Sequence, residues 1–344
     1  MLYSTITTIQ TPTRCVEKLA AKLAQSSSKL VVAGDKKGPA TFDSGQQQWP
    51  VEFLSLDTQN SMGFTITLNL PAGHYARKNV AYLYAMKYGA TCIYETDDDN
   101  APNANWSVRD ETVSGVQSVQ GSKNQWVNVY KYFSNENIWP RGLPLNEITK
   151  PMPGLDTLRE PIRAPIQQGL VNGSPDVDAI WRLVMDRPFD FDDKPSVHLP
   201  SGSWCPFNTQ STWWWPTAFP LMYIPSYCSF RMCDIWKSFV AQRCIWELDL
   251  GIVFHAPEVD QDRNEHNLQR DFDDEVPGYT NNRRIAEILD ATKLSPSHDA
   301  VGENLLACYE SLIKHEIFPN KELELVSAWL VDCANANKPV SQTA

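Results

Sequence analysis

No stretch of about 18 consecutive apolar residues occurs in the chain, so no segment is expected to cross a membrane as a helix. Met1-Leu2-Tyr3-Ser4-Thr5-Ile6 lacks the basic segment and long apolar core of a signal peptide, and reads directly as a first strand. The eight cysteines form no CxxC pair and no zinc-ligand spacing. Positive charge is in deficit, with 30 Lys and Arg against 41 Asp and Glu and a net charge of −11. That balance argues against non-specific nucleic-acid binding, which relies on basic surface, but leaves room for a phosphate ligand held by a few cations. Neither GxGxxG nor a P-loop follows the first strand, which counts against a dinucleotide oxidoreductase or a P-loop NTPase. No internal repeat is visible. What remains is ordinary for a globular protein: 344 residues, 42% hydrophobic and 21% charged, enough for one large domain or a domain with an extension. Two sequons, at Asn105 and Asn172, matter only in a secretory compartment.

The first hundred residues alternate between two periods. Residues 2–9 are β-branched and aromatic. Thr11-Pro12 then offers an N-cap with proline at the first helical position, and Val16, Leu19 and Leu23 follow at helical spacing. Residues 29–33 and 51–56 read as strands, residues 76–88 as a helix stopped by Gly89, and residues 91–96 as a further strand. Strand–helix–strand in this order predicts an α/β fold with a largely parallel, Rossmann-like sheet and right-handed crossovers. Residues 101–168 read as an irregular excursion with short strands such as 125–130. A helix is expected from Ser174-Pro175-Asp176, and an amphipathic one from Asp234 with Ile235, Phe239, Gln242 and Trp246 on one face. Residues 251–255 read as a strand, and 281–337 as mostly helical.

The chemistry is concentrated in Ile93-Tyr94-Glu95-Thr96-Asp97-Asp98-Asp99-Asn100, where an apolar strand ends in three carboxylates. Adjacent carboxylates repel, and a bound divalent cation relieves that conflict, with oxygen ligands suiting Mg²⁺ or Mn²⁺. An isolated acidic triplet reads equally well as a solvated turn. Alternation along an extended chain would set Asp97 and Asp99 on one side and Asp98 on the other.

Arg77-Lys78-Asn79, Tyr82, Tyr84, Gly89-Ala90 and Glu95 through Asn100 together resemble the catalytic domain of the STELLO-type glycosyltransferases. Further matches are Trp139-Pro140-Arg141-Gly142-Leu143-Pro144, Asp176-Val177-Asp178-Ala179, Phe207-Asn208-Thr209-Gln210, and Asp234-Ile235-Trp236 with Gln242-Arg243 and Trp246-Glu247. Gln261-Asp262-Arg263-Asn264-Glu265-His266-Asn267 and Asp271-Phe272 complete the set. A more distant likeness is to the reversibly glycosylated polypeptides, the UDP-arabinopyranose mutases. The resemblance covers roughly residues 1–280, as a nucleotide-binding half (1–100) and an acceptor half (101–280), and leaves 281–344 as a helical C-terminal extension. It implies a GT-A fold, a nucleotide-sugar donor of UDP type, Mn²⁺ or Mg²⁺ at the acidic motif, and a glycan or glycoconjugate acceptor. If Met1 is the natural start the expected compartment is the cytoplasm; behind an N-terminal anchor it is the Golgi lumen.

With that resemblance, Asp97 and Asp99 are expected on the metal, with His266 as a further ligand, and Asp98 toward the donor. Asp35 could accept from a uracil imide, or simply close an Asp-Lys turn. Arg77 and Lys78 begin a helix, where the macrodipole disfavours cations, which suggests a donor contact. Arg263 could close over the diphosphate, or lie solvated in a loop. Asp234 is the candidate general base of an inverting transfer, since one carboxylate must take the acceptor's proton; the alternative is an N-cap. Arg141, Asp176, Asp178, Trp214, Gln242 and Arg243 are expected as acceptor or sugar contacts. Helix-start chemistry accounts equally for the two aspartates, and core packing for at least one residue of Trp213-Trp214-Trp215. The spacing Gln242-Arg243-x-x-Trp246 departs from that of processive synthases, so polymer synthesis is not inferred. The competing functions are a UDP-sugar mutase or self-glycosylating protein, and a sugar-binding module without turnover.

Overall fold

Side-chain alternation along the N-terminal strands sets the layers. In β1 (Leu2–Thr8), Leu2 and Ile6 face one apolar cluster while Tyr3 faces another. After α1 (Arg14–Gln25), the same split holds in β2 (Lys29–Gly34), where Leu30 and Val32 oppose Val31 and Ala33. The structure, a computed structural model, describes residues 1–45, 49–121, 123–185, 187–263 and 267–336. Helix α1 covers the first face with Val16, Leu19, Ala20 and Leu23. Its start differs from expectation: Thr13, not Thr11, supplies the cap, accepting from the Val16 N–H at 3.1 Å.

The remaining N-terminal elements are β3 (Val51–Leu54), α2 (Leu56–Ser61), α3 (Lys78–Lys87) and β4 (Cys92–Thr96). Strands pair in the order β3-β2-β1-β4, all parallel. Beyond β4 comes Ser211–Trp214, antiparallel to both neighbours, then Ile166–Asn172 and Ile252–Gln261, parallel to each other. Two reversals cancel, so these last two strands point the same way as β4. These seven strands are therefore mostly parallel with one reversed, consistent with a GT-A-like fold. Short strands extend the sheet to eleven among the described residues.

The reversed strand falls in the Trp- and Pro-rich stretch, which carries no strand signal of its own. It splits its tryptophans by the period of two: Trp213 joins Tyr94 and Trp106 on the α1 face, while Trp214 goes to the opposite core. Of residues 125–130, only Gln125–Trp126 is extended.

The core of the second face is shared by α3, α5 (Cys233–Trp246), α7 (Val301–Lys314) and α8 (Lys321–Ala336), with α6 (Leu268–Ala291) packed on α5 and α7, and α4 (Ala179–Met185) packed on α6. Helix α5 is buried nearly all round rather than on one stripe, because it lies between the sheet, α6 and α7. The C-terminal helices begin earlier than expected, at Leu268, and share the main core. Helix α8 is fastened by polar bonds as well. Asp332 accepts from the Thr65 and Ile66 N–H groups, both at 2.8 Å, and the Trp329 indole donates to the Pro220 carbonyl at 2.8 Å. Replacing Asp332 by alanine leaves two N–H groups without their anionic acceptor. The expected loss is about 2–3 kcal/mol of stability, read as a lower urea midpoint at unchanged slope. Among the described residues no helix is long and apolar enough to cross a membrane.

Candidate active site

Strand β4 ends at Thr96, and Asp97 to Asp99 form a tight turn rather than a continued strand, with the Asn100 N–H on the Asp97 carbonyl. The expected alternation therefore stops before the triplet, and all three aspartates line one cavity of about 630 Å³. Each is held differently. Asp97 Oδ1 accepts from the Tyr75 hydroxyl (2.6 Å) and the Lys78 ammonium (3.0 Å). Asp98 accepts from the Thr8 hydroxyl at the end of β1, and its carbonyl from Thr13. Asp99 Oδ2 accepts from the Gln261 amide at 3.0 Å, while Oδ1 is buried without a partner. Burial, then the charge of Asp97, pushes the Asp99 carboxyl up to about 7.

An orphaned buried carboxylate oxygen beside a half-buried second carboxylate is a donor set a hard cation would satisfy. Mg²⁺ is commonly held by one or two carboxylates plus substrate phosphates rather than by an all-protein cage. No group of three or more His, Cys, Asp or Glu side chains converges as a metal set among the described residues. His266 lies outside the described residues.

Asp35 follows β2 and also lines the cavity, but its carboxylate is occupied by backbone. It accepts from Lys36 (2.7 Å), Gly73 (2.6 Å) and His74 (2.8 Å) N–H groups, and so clamps the loop that forms one wall. Arg77 and Lys78 do not line the cavity. Arg77 turns back to Gln59 Oε1 and the Leu70 carbonyl, while Gln59 ties the ends of β2 and β3. Lys78 sits behind the acidic turn on Asp97 and the Thr96 carbonyl. Their place at a helix start follows from these bonds, without a ligand.

In the same cavity, Arg141 lies between two carboxylates. It donates to both oxygens of Asp176 (2.7 and 2.8 Å) and both of Asp234 (3.0 and 2.8 Å). Gly142, at φ +95°, permits this turn, since a Cβ there would lie 2.4 Å from Ile235. Asp234 is in the first turn of α5 and is not its cap; Met232 holds that position without a side-chain bond. Burial alone would raise the Asp234 carboxyl, but the Arg141 guanidinium, with Arg231 and Lys237, holds it below the ordinary carboxylate value. At Asp176 burial wins and the carboxyl is raised.

The other expected contacts are used inside the protein. Asp178 caps α4 through the Trp181 N–H (2.8 Å) and accepts from the Trp139 indole (2.7 Å). Trp214 is fully buried, with its indole N–H on Glu95. Gln242 accepts from the Cys205 N–H and Arg243 donates to the Leu289 and Thr292 carbonyls. None of these four lines the cavity, whereas Arg263 does.

Several lining residues carry no signal in the sequence. Arg182 and Arg231 join Arg263, each fixed from behind by an acceptor: the Pro175 carbonyl, Glu275 and Asp271 respectively. Burial and the nearby Arg263 guanidinium push Arg182 down to about 10. Three guanidinium groups gathered on one wall of an acidic protein are suited to an anion. Phe230 is also in the lining and exposed.

Residues 231–339 match the family model of the STELLO glycosyltransferases. Two Arabidopsis thaliana proteins, probable glycosyltransferases STELLO1 and STELLO2, are each 30% identical to the chain, over 313 and 308 residues. The matches cover 81% of this chain and 38% of each relative, so the chain spans well under half their length.

Proposed function

We propose that this relative of the STELLO glycosyltransferases moves a sugar from a nucleotide-sugar donor, of UDP type, to a hydroxyl of a glycan or glycoconjugate. The observation that carries the reading is that one cavity receives acidic groups from two elements, Asp97 to Asp99 after β4 and Asp234 on α5. Ligand sites of open α/β sheets lie beyond the carboxyl ends of their strands, where the first group sits. Asp97 and Asp99 would hold Mn²⁺ or Mg²⁺, which when bound offsets charge on the donor diphosphate.

Transfer breaks the bond between the anomeric carbon and the diphosphate, leaving negative charge on the phosphate oxygen. Arg182, Arg231 and Arg263 supply fixed donors for that charge, the kind of preorganised stabilisation that dominates many enzymatic steps. The acceptor oxygen bonds to the anomeric carbon from the face opposite the departing diphosphate and its proton goes to Asp234, giving inversion. Arg141 already occupies both Asp234 oxygens, but a carboxylate has about four lone-pair sites, so an acceptor hydroxyl can still be received.

A panel of UDP-sugars tested for hydrolysis and transfer with Mn²⁺, and again with chelator, checks this reading. Asp97→Ala with Asp99→Ala removes both proposed ligands and is expected to reduce turnover by more than about 100-fold, the upper end of the cost of losing an outer-shell partner alone. Unchanged turnover in that variant would sink the metal assignment. Labelled donor incubated alone distinguishes the UDP-sugar mutase or self-glycosylating alternative, which leaves label on the protein or isomerises the donor.

A further inference from the structure

The tryptophans that the sequence offers as sugar platforms are buried: Trp213 and Trp214 fully, Trp215 nearly so. One aromatic ring of the cavity is instead open. Phe230 is 56% exposed, yet it is not on a loose segment. It begins the 3₁₀ turn Phe230–Met232, and its carbonyl accepts from the Cys233 thiol at 3.1 Å. On either side, Ser229 bonds the Asp274 carbonyl and Arg231 bonds Glu275 at 2.7 Å, fixing the turn to α6. The ring meets His74 and Tyr75 edge-on, at 6.3 and 6.0 Å between centroids.

This wall joins the two acidic groups. The Tyr75 hydroxyl donates to Asp97, and Phe230, in the turn that leads into α5, lines the same cavity as Asp234. Asp97, Asp176, Asp234 and Arg231 stand in the same lining, where the aliphatic side chains are Ile9, Pro175 and Val177. A lipid chain would need a continuous apolar groove. An exposed aromatic ring among carboxylates and a guanidinium suits a ring that has one C–H face and a rim of hydroxyls.

We propose that Phe230 is the platform on which the acceptor's pyranose ring stacks, presenting a hydroxyl to Asp234, so that the acceptor is a carbohydrate. The proposal rests on the glycosyltransferase reading given above.

Saturation-transfer NMR on the full chain tests it, with UDP and diamagnetic Mg²⁺ present and methyl β-glucopyranoside, methyl β-galactopyranoside, methyl α-mannopyranoside and 1-octanol as probes. Saturation of at least one pyranoside on its C–H face is expected. It should fall at least fivefold in Phe230→Ala and persist in Phe230→Trp, with melting curves confirming that both variants fold. UDP saturation in the wild type reports on the underlying reading; if it is missing, that reading fails and this one with it. If UDP binds, three results overturn the platform alone: no pyranoside signal, a pyranoside signal unchanged in Phe230→Ala, or saturation of octanol in place of the sugars.

Discussion

Asp234→Asn is expected to lower sugar transfer by about 10²- to 10⁴-fold, the range a positioned general base contributes, while leaving UDP binding nearly unchanged. Asparagine keeps the shape and can still accept from Arg141, but cannot take the acceptor's proton. Single-turnover transfer and UDP titration calorimetry separate the two effects; transfer within threefold of wild type would remove Asp234 as the base. The pH profile carries the same information. Burial would raise this carboxyl, but Arg141 together with Arg231 and Lys237 lowers it, so the base is ionised throughout the neutral range. The acid limb of transfer is therefore expected below the ordinary aspartate value of about 3.9. A folded pKa below the unfolded one also means that Asp234 stabilises the fold above the unfolded value. That contribution disappears as pH falls through the folded value. Arg141→Lys, which loses the two-pronged guanidinium, should move the acid limb upward by raising the Asp234 carboxyl. A limb that stays in place would mean that Arg141 does not set the base's protonation.

How much of this site was legible depended on whether a residue's role followed from its neighbours in the chain. The acidic end of β4 and the order of the first four strands follow from hydrophobic period and turn residues, which are local. Asp234 stood out as an acid in a motif, and the structure places it in the same cavity as the triplet. Arg77, Trp214 and Gln242 looked equally suited to ligands, but their partners are distant in sequence: Gln59, Glu95 and Cys205. A buried polar side chain is satisfied by whatever the fold brings to it, and no spacing rule reports that partner. The reversed strand Ser211–Trp214 was hidden for a related reason. Buried on both faces in mid-sheet, its Ser-Thr-Trp-Trp sequence shows no alternation of polar and apolar residues. Phe230, Arg182 and Arg231 belong to short turns and a short helix, and become site residues only through α6 and the loop around Asp176.

A buried ion pair links the strand that carries one acidic group to the helix that carries the other, and it has the largest expected stability effect. Glu95 lies two residues before Asp97, and Lys237 three residues after Asp234. Deep in the core the Lys237 ammonium donates to both Glu95 oxygens at 2.8 Å. Glu95 also accepts from the Tyr82 hydroxyl and the Trp214 indole, and the ammonium lies 4.9 Å from the centre of the Trp214 ring. Every one of these groups is buried. Two opposing effects decide what the pair is worth. Desolvating both charges is costly, so the intact pair is weak evidence of net stability; removing one partner leaves an uncompensated charge and costs about 3–5 kcal/mol. Lys237→Met is therefore expected to lose about that much, enough to consume much of a typical domain's stability. Lys237→Met with Glu95→Gln should recover most of the loss, because no unpaired charge remains. Chemical denaturation of the three proteins measures this, and a Lys237→Met loss under about 1 kcal/mol would contradict the buried pairing. Transfer provides the second readout. If the pair sets the distance from the β4 turn to α5, the refolded double variant should regain stability but not full turnover. A misplacement of about 1 Å between reacting groups costs roughly 10²-fold. Full recovery of both would mean that packing alone holds the acceptor side opposite the donor side.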